Sequence, residues 1–372
     1  MARIVIIGCG VVGAAIAYEL SRTTSHTLTV LEQHSPAEGA TGAALGIAMG
    51  VISHKVKGRN WRLREASLRR YPTLLSELAE LGQPVPHNSQ GILSLCFEAE
   101  SLPRWQSLQA IRQRQGWPLE IWSPDQVAAA CPHLSLDQVV AGIYSPQDLQ
   151  IMPAAFTQAL INAAQQQGAE LQTDTAVVGF EQEGDRVQAV QTASQTYPAD
   201  VVIVTAGLGS ERLAGKLDQM LPMMPVLGQG LRIQMPEGLG DASFQPVING
   251  DDVHLVPMGD RVYGVAATVE FPPDGERSPL PEAAAIEAVW QAAIEYCPAL
   301  KAGNILSTWY GLRPRPQGQA APVIQPMEGI RNGILATGHY RNGVLLAPAT
   351  ALKVQELLQA ILDNDSSMSP SR

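Results

Sequence analysis

Residues 3–20, RIVIIGCGVVGAAIAYEL, constrain the fold more tightly than any other stretch of this 372-residue chain. Residues 3–7 are a continuous apolar run, the pattern of a buried parallel strand. Glycines at 8, 10 and 13 follow, then a helical pattern over 11–21. A second apolar strand, TLTVL, occupies 27–31. This is a complete βαβ unit within 32 residues. Each glycine has a separate task. Gly8 permits the tight turn, Gly10 lets a pyrophosphate approach backbone N–H groups, and Gly13 allows the helix to pack closely on the strand. Val11 and Val12 open the helix, whose N-terminus favours negative charge. Glu32 ends the second strand, where a carboxylate accepts hydrogen bonds from ribose hydroxyls and repels a 2′-phosphate. Gln33 follows it. A GxGxxG pattern alone is weak, and a glycine turn without a ligand is the bland alternative. The strand before it, the helix after it and the acid at the right remove favour a dinucleotide site. The basic start and apolar run also resemble a secretory leader, but a glycine-rich turn inside a short apolar run fits a strand entering a helix better.

Composition suits a compact enzyme: 45% of residues are apolar and 16% charged. The net charge of −10 opposes nucleic-acid binding, which needs clustered Lys and Arg. The nearest approach to a basic run, Arg59, Arg62, Arg64, Arg69 and Arg70, falls on a helical pattern and reads as a solvated face. The four cysteines, Cys9, Cys96, Cys131 and Cys297, are widely spaced and suit a reducing compartment. With the scattered histidines they form no metal constellation. No uninterrupted apolar run reaches the ~18 residues of a membrane span. A cytoplasmic protein is expected.

Further along, residues 38–50 (EGATGAALGIAMG) are small and glycine-rich, which lets backbone approach a ligand closely. Thr41, Gly42, Ala43 and Ala44 lie at its centre. Helices are predicted at 60–81, 101–115, 124–131, 153–167, 281–297 and 344–362. Strands are predicted at 90–96, 200–205, 303–311 and 333–338. A hairpin spans 175–182 and 186–192 about a turn at Gly184–Asp185, with Val177 near its start. The strand at 200–205 runs into Ala206–Gly207, a second close backbone approach. Residues 222–271 read as antiparallel sheet, and the last ten residues as a frayed tail. These blocks alternate, so two interleaved domains are expected rather than two in series.

The start (RIVIIGCGVVGAAIAYEL…VLEQ), EGATGAALG, VVIVTAG, GLRP at 311–314 and GHYRNGVLLAPAT at 338–350 together resemble the D-amino-acid oxidase superfamily. The last motif is similar to glycine oxidases of thiamine biosynthesis. The resemblance implies an α/β FAD-binding Rossmann-like domain interleaved with an α+β antiparallel-sheet substrate domain. The boundaries expected are 1–85, 145–220 and 312–364 for the first, 86–144 and 221–311 for the second, and a flexible tail at 365–372. It further implies oxidative deamination of glycine, sarcosine or a small D-amino acid. Hydride would pass to the flavin, the imine would hydrolyse, and O2 would become hydrogen peroxide. Relatives of this kind are often homo-oligomers. PRPQGQAAPV after GLRP contains no cysteine, so FAD is expected to be held non-covalently. The implied cofactor contacts are the residues above together with Gly311, Arg341, Asn342, Gly343, Val344 and Leu345.

An amino-acid substrate presents a carboxylate, and an arginine is its natural bidentate clamp. The resemblance assigns that part to Arg313 and places Arg341 near flavin and substrate. Either arginine can instead simply cap a surface element. A helix beginning near Val344 would offer its N-terminus to the flavin, and Pro348 lies close enough to that start to be tolerated. Departures from the glycine-oxidase pattern are His254, where a tyrosine is usual, Val269, where some members carry methionine, and Gly209, where many carry tryptophan. His254 therefore stands as a third catalytic candidate or a selector of a different substrate. His54 is a weaker candidate for the flavin region. The rival readings are a dehydrogenase passing electrons to a quinone, an enzyme of opines or bulkier D-amino acids, and a non-catalytic flavin-binding partner.

Overall fold

A computed structural model of the chain describes residues 1–273 and 276–368. Its centre is a six-stranded sheet in the order Val323–Pro326, Gly333–Thr337, Val201–Val204, Arg3–Ile7, Thr27–Leu31, Glu170–Gln172. Every pairing is parallel except the edge strand Val323–Pro326. Helices Val11–Thr23, Pro153–Gln166 and Gly343–Met368 share one core with the Ile4, Ile6, Leu28, Val30, Val201 and Ile203 face of the sheet. The opposite face, Val5, Ile7, Val202 and Val204, packs on a three-stranded sheet and on helix Gly209–Gly215. Both faces are covered, which explains why the strands are apolar runs rather than alternating patterns. The two edge strands, three and four residues long, carry too little pattern to be predicted.

The second sheet has eight strands: Asn304–Pro316, Met223–Gln234, Val262–Ala266, Val253–Pro257, Val247–Gly250, Ile92–Cys96, Ala141–Ser145 and Glu120–Trp122. Residues 222–271 were expected to be wholly antiparallel. The exception is Val247–Gly250, which runs parallel to Ile92–Cys96, with Asn249 opposite Ser94. Strand Ile92–Cys96 arrives from an earlier stretch of chain, and alternation within a strand does not encode its partner's direction. One face of this sheet, including Leu93, Ile248, Leu255, Val265 and Ile233, buries helices Pro124–Ala130 and Ala283–Tyr296. On the other face Ile92, Ile143, Val247 and Val256 join the core of the first sheet and its helices. The second sheet thus lies directly on the nucleotide-type body.

Helix Gly343–Met368 continues past the predicted end near 362, so the tail expected from 365 begins no earlier than 369. Residues 369–372 lie outside the described residues. By length and composition this helix could cross a membrane. Here Val344, Leu345, Leu346, Ala347, Ala351, Val354 and Leu358 are buried in the core, packed with helices Val11–Thr23 and Gly58–Glu80. Pro348 sits inside it. Proline lacks an N–H, which leaves the carbonyl of Val344 without its usual i+4 donor. The hydroxyl of fully buried Tyr71 donates to that carbonyl instead. Next along, the Ala349 N–H donates to Ser67 Oγ at 3.1 Å. Helix Gly58–Glu80 therefore supplies the polar partners that make a proline tolerable there. Tyr71→Phe removes the hydroxyl that donates to the Val344 carbonyl. It is expected to cost about 1–3 kcal/mol of stability, seen as a lower urea midpoint with an unchanged slope. An unaltered midpoint would contradict this role.

Candidate functional site

The predicted nucleotide turn is built with almost no clearance. A Cβ on Gly13 would stand 1.9 Å from the Gly8 carbonyl oxygen and 2.7 Å from Thr205 Oγ1. Gly8 has φ +104°, and its Cβ would meet the Ala206 backbone at 3.0 Å. The Thr205 hydroxyl lies 2.9 Å from the Ile7 carbonyl and 2.8 Å from that of Gly8, tying the turn to the end of strand Val201–Val204. Glu32 comes from the neighbouring strand, and its carboxylate accepts the Cys9 N–H at 2.6 Å and the His34 N–H at 3.1 Å. Helix Val11–Thr23 starts at Gly10 without a side-chain cap on that residue, and its first turn carries no acid. The Val11 N–H points to Thr41 Oγ1 at 3.1 Å. Gly8, Gly10, Val11, Thr41, Glu32 and Ala206 are therefore in one place, an anion-favouring helix start with a carboxylate beside it. Gly207 has φ +55° and open space where a side chain would be.

The glycine-rich segment links the two sheets. Trp309 Nε1 donates to the Ala43 carbonyl at 3.0 Å, and a Cβ on Gly311 would lie 2.3 Å from Ala43 Cβ. Trp309, Gly311 and Arg313 alternate along strand Asn304–Pro316, so all three face the nucleotide-type body. The Arg313 guanidinium rests over Gly228 of the next strand, where a Cβ would come within 2.1 Å of Nη2. Its Nη1 and Nη2 donate to the carbonyls of Leu227 and Thr268, each at 3.0 Å. These bonds fix the plane of the group while leaving it only partly covered. Burial, and then the nearby Arg341, hold its pKa below the usual arginine value.

His254 lies across the same face. It is buried, and its Nδ1 is enclosed without a hydrogen-bond partner. Burial first, then the charge of Arg341, pulls its pKa down to about 4. Asp252 acts in the opposite sense, and Arg313 lowers it further. His254, Arg313 and Arg341 thus come close enough to sense one another. Arg341 sits in the short 3-10 turn Tyr340–Asn342 and is 40% exposed; its Nη2 is 3.8 Å from Asp252 Oδ1, at the tip of the Val247–Gly250/Val253–Pro257 hairpin. Asp251 and Asp252 both have positive φ, the geometry of a two-residue primed turn. Asn342 Oδ1 accepts from Arg64 Nη2 at 3.1 Å, and helix Gly343–Met368 begins at the next residue.

Other candidates fall elsewhere. The side chain of Val177 is buried in the core on the far face of the first sheet, although its carbonyl accepts from Arg212. Val344 and Leu345 have buried side chains, so only their backbone could face a ligand. His54 packs against Trp105 with ring centroids 4.5 Å apart and the rings tilted by 40°. Val269 and Phe271 are exposed, and Arg315 lies over the rings of Phe271 and Tyr340 at 5.0 and 5.7 Å.

Two residues that hold the stretch after the glycine-rich segment carry no signal in the sequence. Asp148, fully buried, accepts the N–H groups of Gly50, Val51 and Ile52 at 2.7, 2.8 and 2.9 Å and the Ser145 hydroxyl at 2.8 Å. Arg112, also buried, donates to the carbonyls of Val51, Ser53 and Lys55 and lies 3.7 Å over the Trp61 ring. Residues 50–55, which continue the glycine-rich segment, are thus held through their N–H groups by an acid and through their carbonyls by a base. Asp148 lies 96–98 residues along the chain from the groups it binds, and Arg112 57–61, and no local pattern connects them.

The DAO family, described as FAD dependent oxidoreductase, matches residues 3–357. The bifunctional protein ThiO/ThiG of Trichormus variabilis is 32% identical over 95% of the chain, which spans 52% of that protein. The chain thus covers about half the length of such bifunctional relatives. A glycine oxidase of Pseudomonas putida is 30% identical over 96% of the chain and 94% of its own length. The crystal structure of a glycine oxidase from Bacillus cereus ATCC 14579 superposes with a TM-score of 0.85, at 25% identity, over 98% of this chain and 96% of that one. The match runs through the glycine turn, both sheets and the strand that carries Arg313, and this chain therefore belongs to the DAO family of FAD-dependent oxidoreductases.

Proposed function

We propose that this protein oxidises a small amino acid, glycine, sarcosine or a small D-amino acid, using non-covalent FAD and passing the electrons to O2. The observation that carries this reading is the guanidinium of Arg313, fixed over Gly228 on the sheet face that meets the nucleotide-type body. FAD fits the residues present. Glu32 would hold the ribose hydroxyls, and the backbone of Gly10, Val11, Val12 and Gly13 the pyrophosphate. Gln33, Thr41, Gly42, Ala43, Ala44, Ala206, Gly207 and Gly311 would line it, with Arg341, Asn342, Gly343 and the backbone of Val344 and Leu345 at its other end; Val177, whose side chain is buried on the far face, would reach it through its backbone alone. When bound, FAD supplies the two-electron acceptor that amine oxidation needs.

The chain's own residues supply position and charge. Arg313 holds the substrate carboxylate, and its backbone bonds spare it reorganisation on binding. Arg341 closes the same space from the opposite side, balanced by Asp252 at the rim. His254 is neutral at working pH and contributes shape and hydrogen bonding rather than charge. Arg313, bonded to carbonyls, and Arg341, whose pairing with Asp252 is long at 3.8 Å, favour an anionic substrate. Hydrolysis of the imine product by water gives the 2-oxo acid and releases ammonia or an amine. The buried, reduced cysteines suit a cytoplasmic location, and the role would lie in thiamine or general amino-acid metabolism.

Purified protein is expected to release peroxide when supplied with glycine, sarcosine or small D-amino acids. Reduction of a dye without peroxide would instead indicate a dehydrogenase. Arg313→Ala should retain flavin but lose about 2–5 kcal/mol of carboxylate binding, a roughly thirtyfold or larger rise in KM. An unchanged KM would remove Arg313 from the substrate. Because its pKa lies about 4, His254 gains its proton only far below neutrality. The kcat/KM profile should then show no imidazole limb between roughly pH 6 and 8, where an unperturbed histidine titrates. A limb there that disappears in His254→Gln would contradict the neutral assignment.

A further inference from the structure

One row of paired residues runs across the second sheet through the site: Ser94 opposite Asn249, Asn249 opposite His254, His254 opposite Ala266, Ala266 opposite Gly230, and Gly230 opposite Trp309. Directly paired residues place their side chains on the same face, about 5 Å apart. Trp309 reaches the glycine-rich segment from this row, so the whole row faces the nucleotide-type body. Trp309 covers Gly230, and beyond Ala266 the row turns polar. Ser94 is 5% exposed, Asn249 9% and His254 7%.

These three side chains are not a closed network. Asn249 Nδ2 donates to Ser94 Oγ at 2.7 Å. The other end of the amide, Asn249 Oδ1, is enclosed and has no partner, and neither has His254 Nδ1 on the adjacent strand. Only four buried side-chain polar atoms among the described residues lack a partner, and two of them stand at neighbouring positions of this row. An unpaired buried polar atom costs about 1–3 kcal/mol. Two such atoms on directly paired residues, one of them an obligate acceptor, call for a group that donates to Asn249 Oδ1 and pairs with His254 Nδ1. A carboxamide does both whichever tautomer the imidazole adopts, and a hydroxyl, with its single O–H given to Asn249 Oδ1, does both when Nδ1 carries the proton.

We propose that Ser94, Asn249 and His254 form a polar subsite beside the Arg313 clamp, and that it selects small amino acids bearing a neutral hydroxyl or amide on the side chain. This rests on the amino-acid reading above. Glycine cannot reach the subsite, and an alkyl side chain leaves both atoms unpaired. A site built to hydrogen-bond a substrate group discriminates strongly against the analogue that lacks it.

The test compares polar ligands with apolar counterparts of similar size, in both binding and turnover. Both enantiomers of serine and asparagine would be assayed against alanine and 2-aminobutyrate with the flavin-loaded protein. The unreactive acids 3-hydroxypropanoate and butanoate would be compared by the rise in Tm each produces. The expected result is a kcat/KM at least about tenfold higher for the polar member and a larger Tm shift with 3-hydroxypropanoate. Asn249→Ala should narrow the kcat/KM ratio about tenfold, and Ser94→Ala, which only frees the amide to rotate, by less. Equal turnover of polar and apolar amino acids, with equal Tm shifts, would overturn the subsite alone and assign the two atoms to a fixed internal water. Failure of every amino acid to react and of both acids to bind would overturn the amino-acid reading as well.

Discussion

The closeness of the first strand to the first helix governs the rest of the molecule. At Gly13 the helix backbone passes the Gly8 carbonyl with no room for a single carbon atom. That contact brings the helix N-terminus over the end of the sheet, where Glu32 and the Gly8–Gly13 backbone converge. The Thr205 hydroxyl then ties the turn to the adjacent parallel strand. In the function proposed, a pyrophosphate and a ribose would bind here, because the turn offers N–H groups and a carboxylate at fixed separation.

The second constraint is the face that the eight-stranded sheet turns toward this body. Glycines at 228, 230 and 311 remove side chains where Arg313, Trp309 and Ala43 need space. Large polar groups are thereby seated within the interface and not at its edge. Arg313 is held by two carbonyls, so its position does not depend on a ligand. Residues 50–55 are held just as firmly, by Asp148 through their N–H groups and by Arg112 through their carbonyls. Both buried charges are stabilised by backbone groups rather than by direct ion pairing with each other, which keeps an irregular loop in one conformation.

How much of this was legible follows from the range of each interaction. The βαβ unit, Glu32 and the long helices are local patterns, and the predicted and observed bounds differ by a few residues. The hairpin at 177–192 was legible for the same reason. Arg313 and Arg341 were found through motifs and not through spacing, since neither shows its partners in the flanking sequence. Asp148, Arg112 and Asn249 were missed because each acts on residues far along the chain. The sequence put His254 on a strand, but only the pairing of Asn249 with His254 brings two residues with unsatisfied atoms together. The parallel junction of Val247–Gly250 with Ile92–Cys96 was hidden because direction is a property of the pair.

The central claim is that an amino acid binds between Arg313 and a flavin held by the glycine turn. Anaerobic mixing of the flavin-loaded protein with small amino acids measures this most directly. The account predicts stoichiometric bleaching of the flavin absorbance in the wild type, with the concentration for half-bleaching rate raised strongly in Arg313→Ala. Flavin that stays oxidised with every amino acid offered, or bleaching that is indifferent to Arg313, would contradict it.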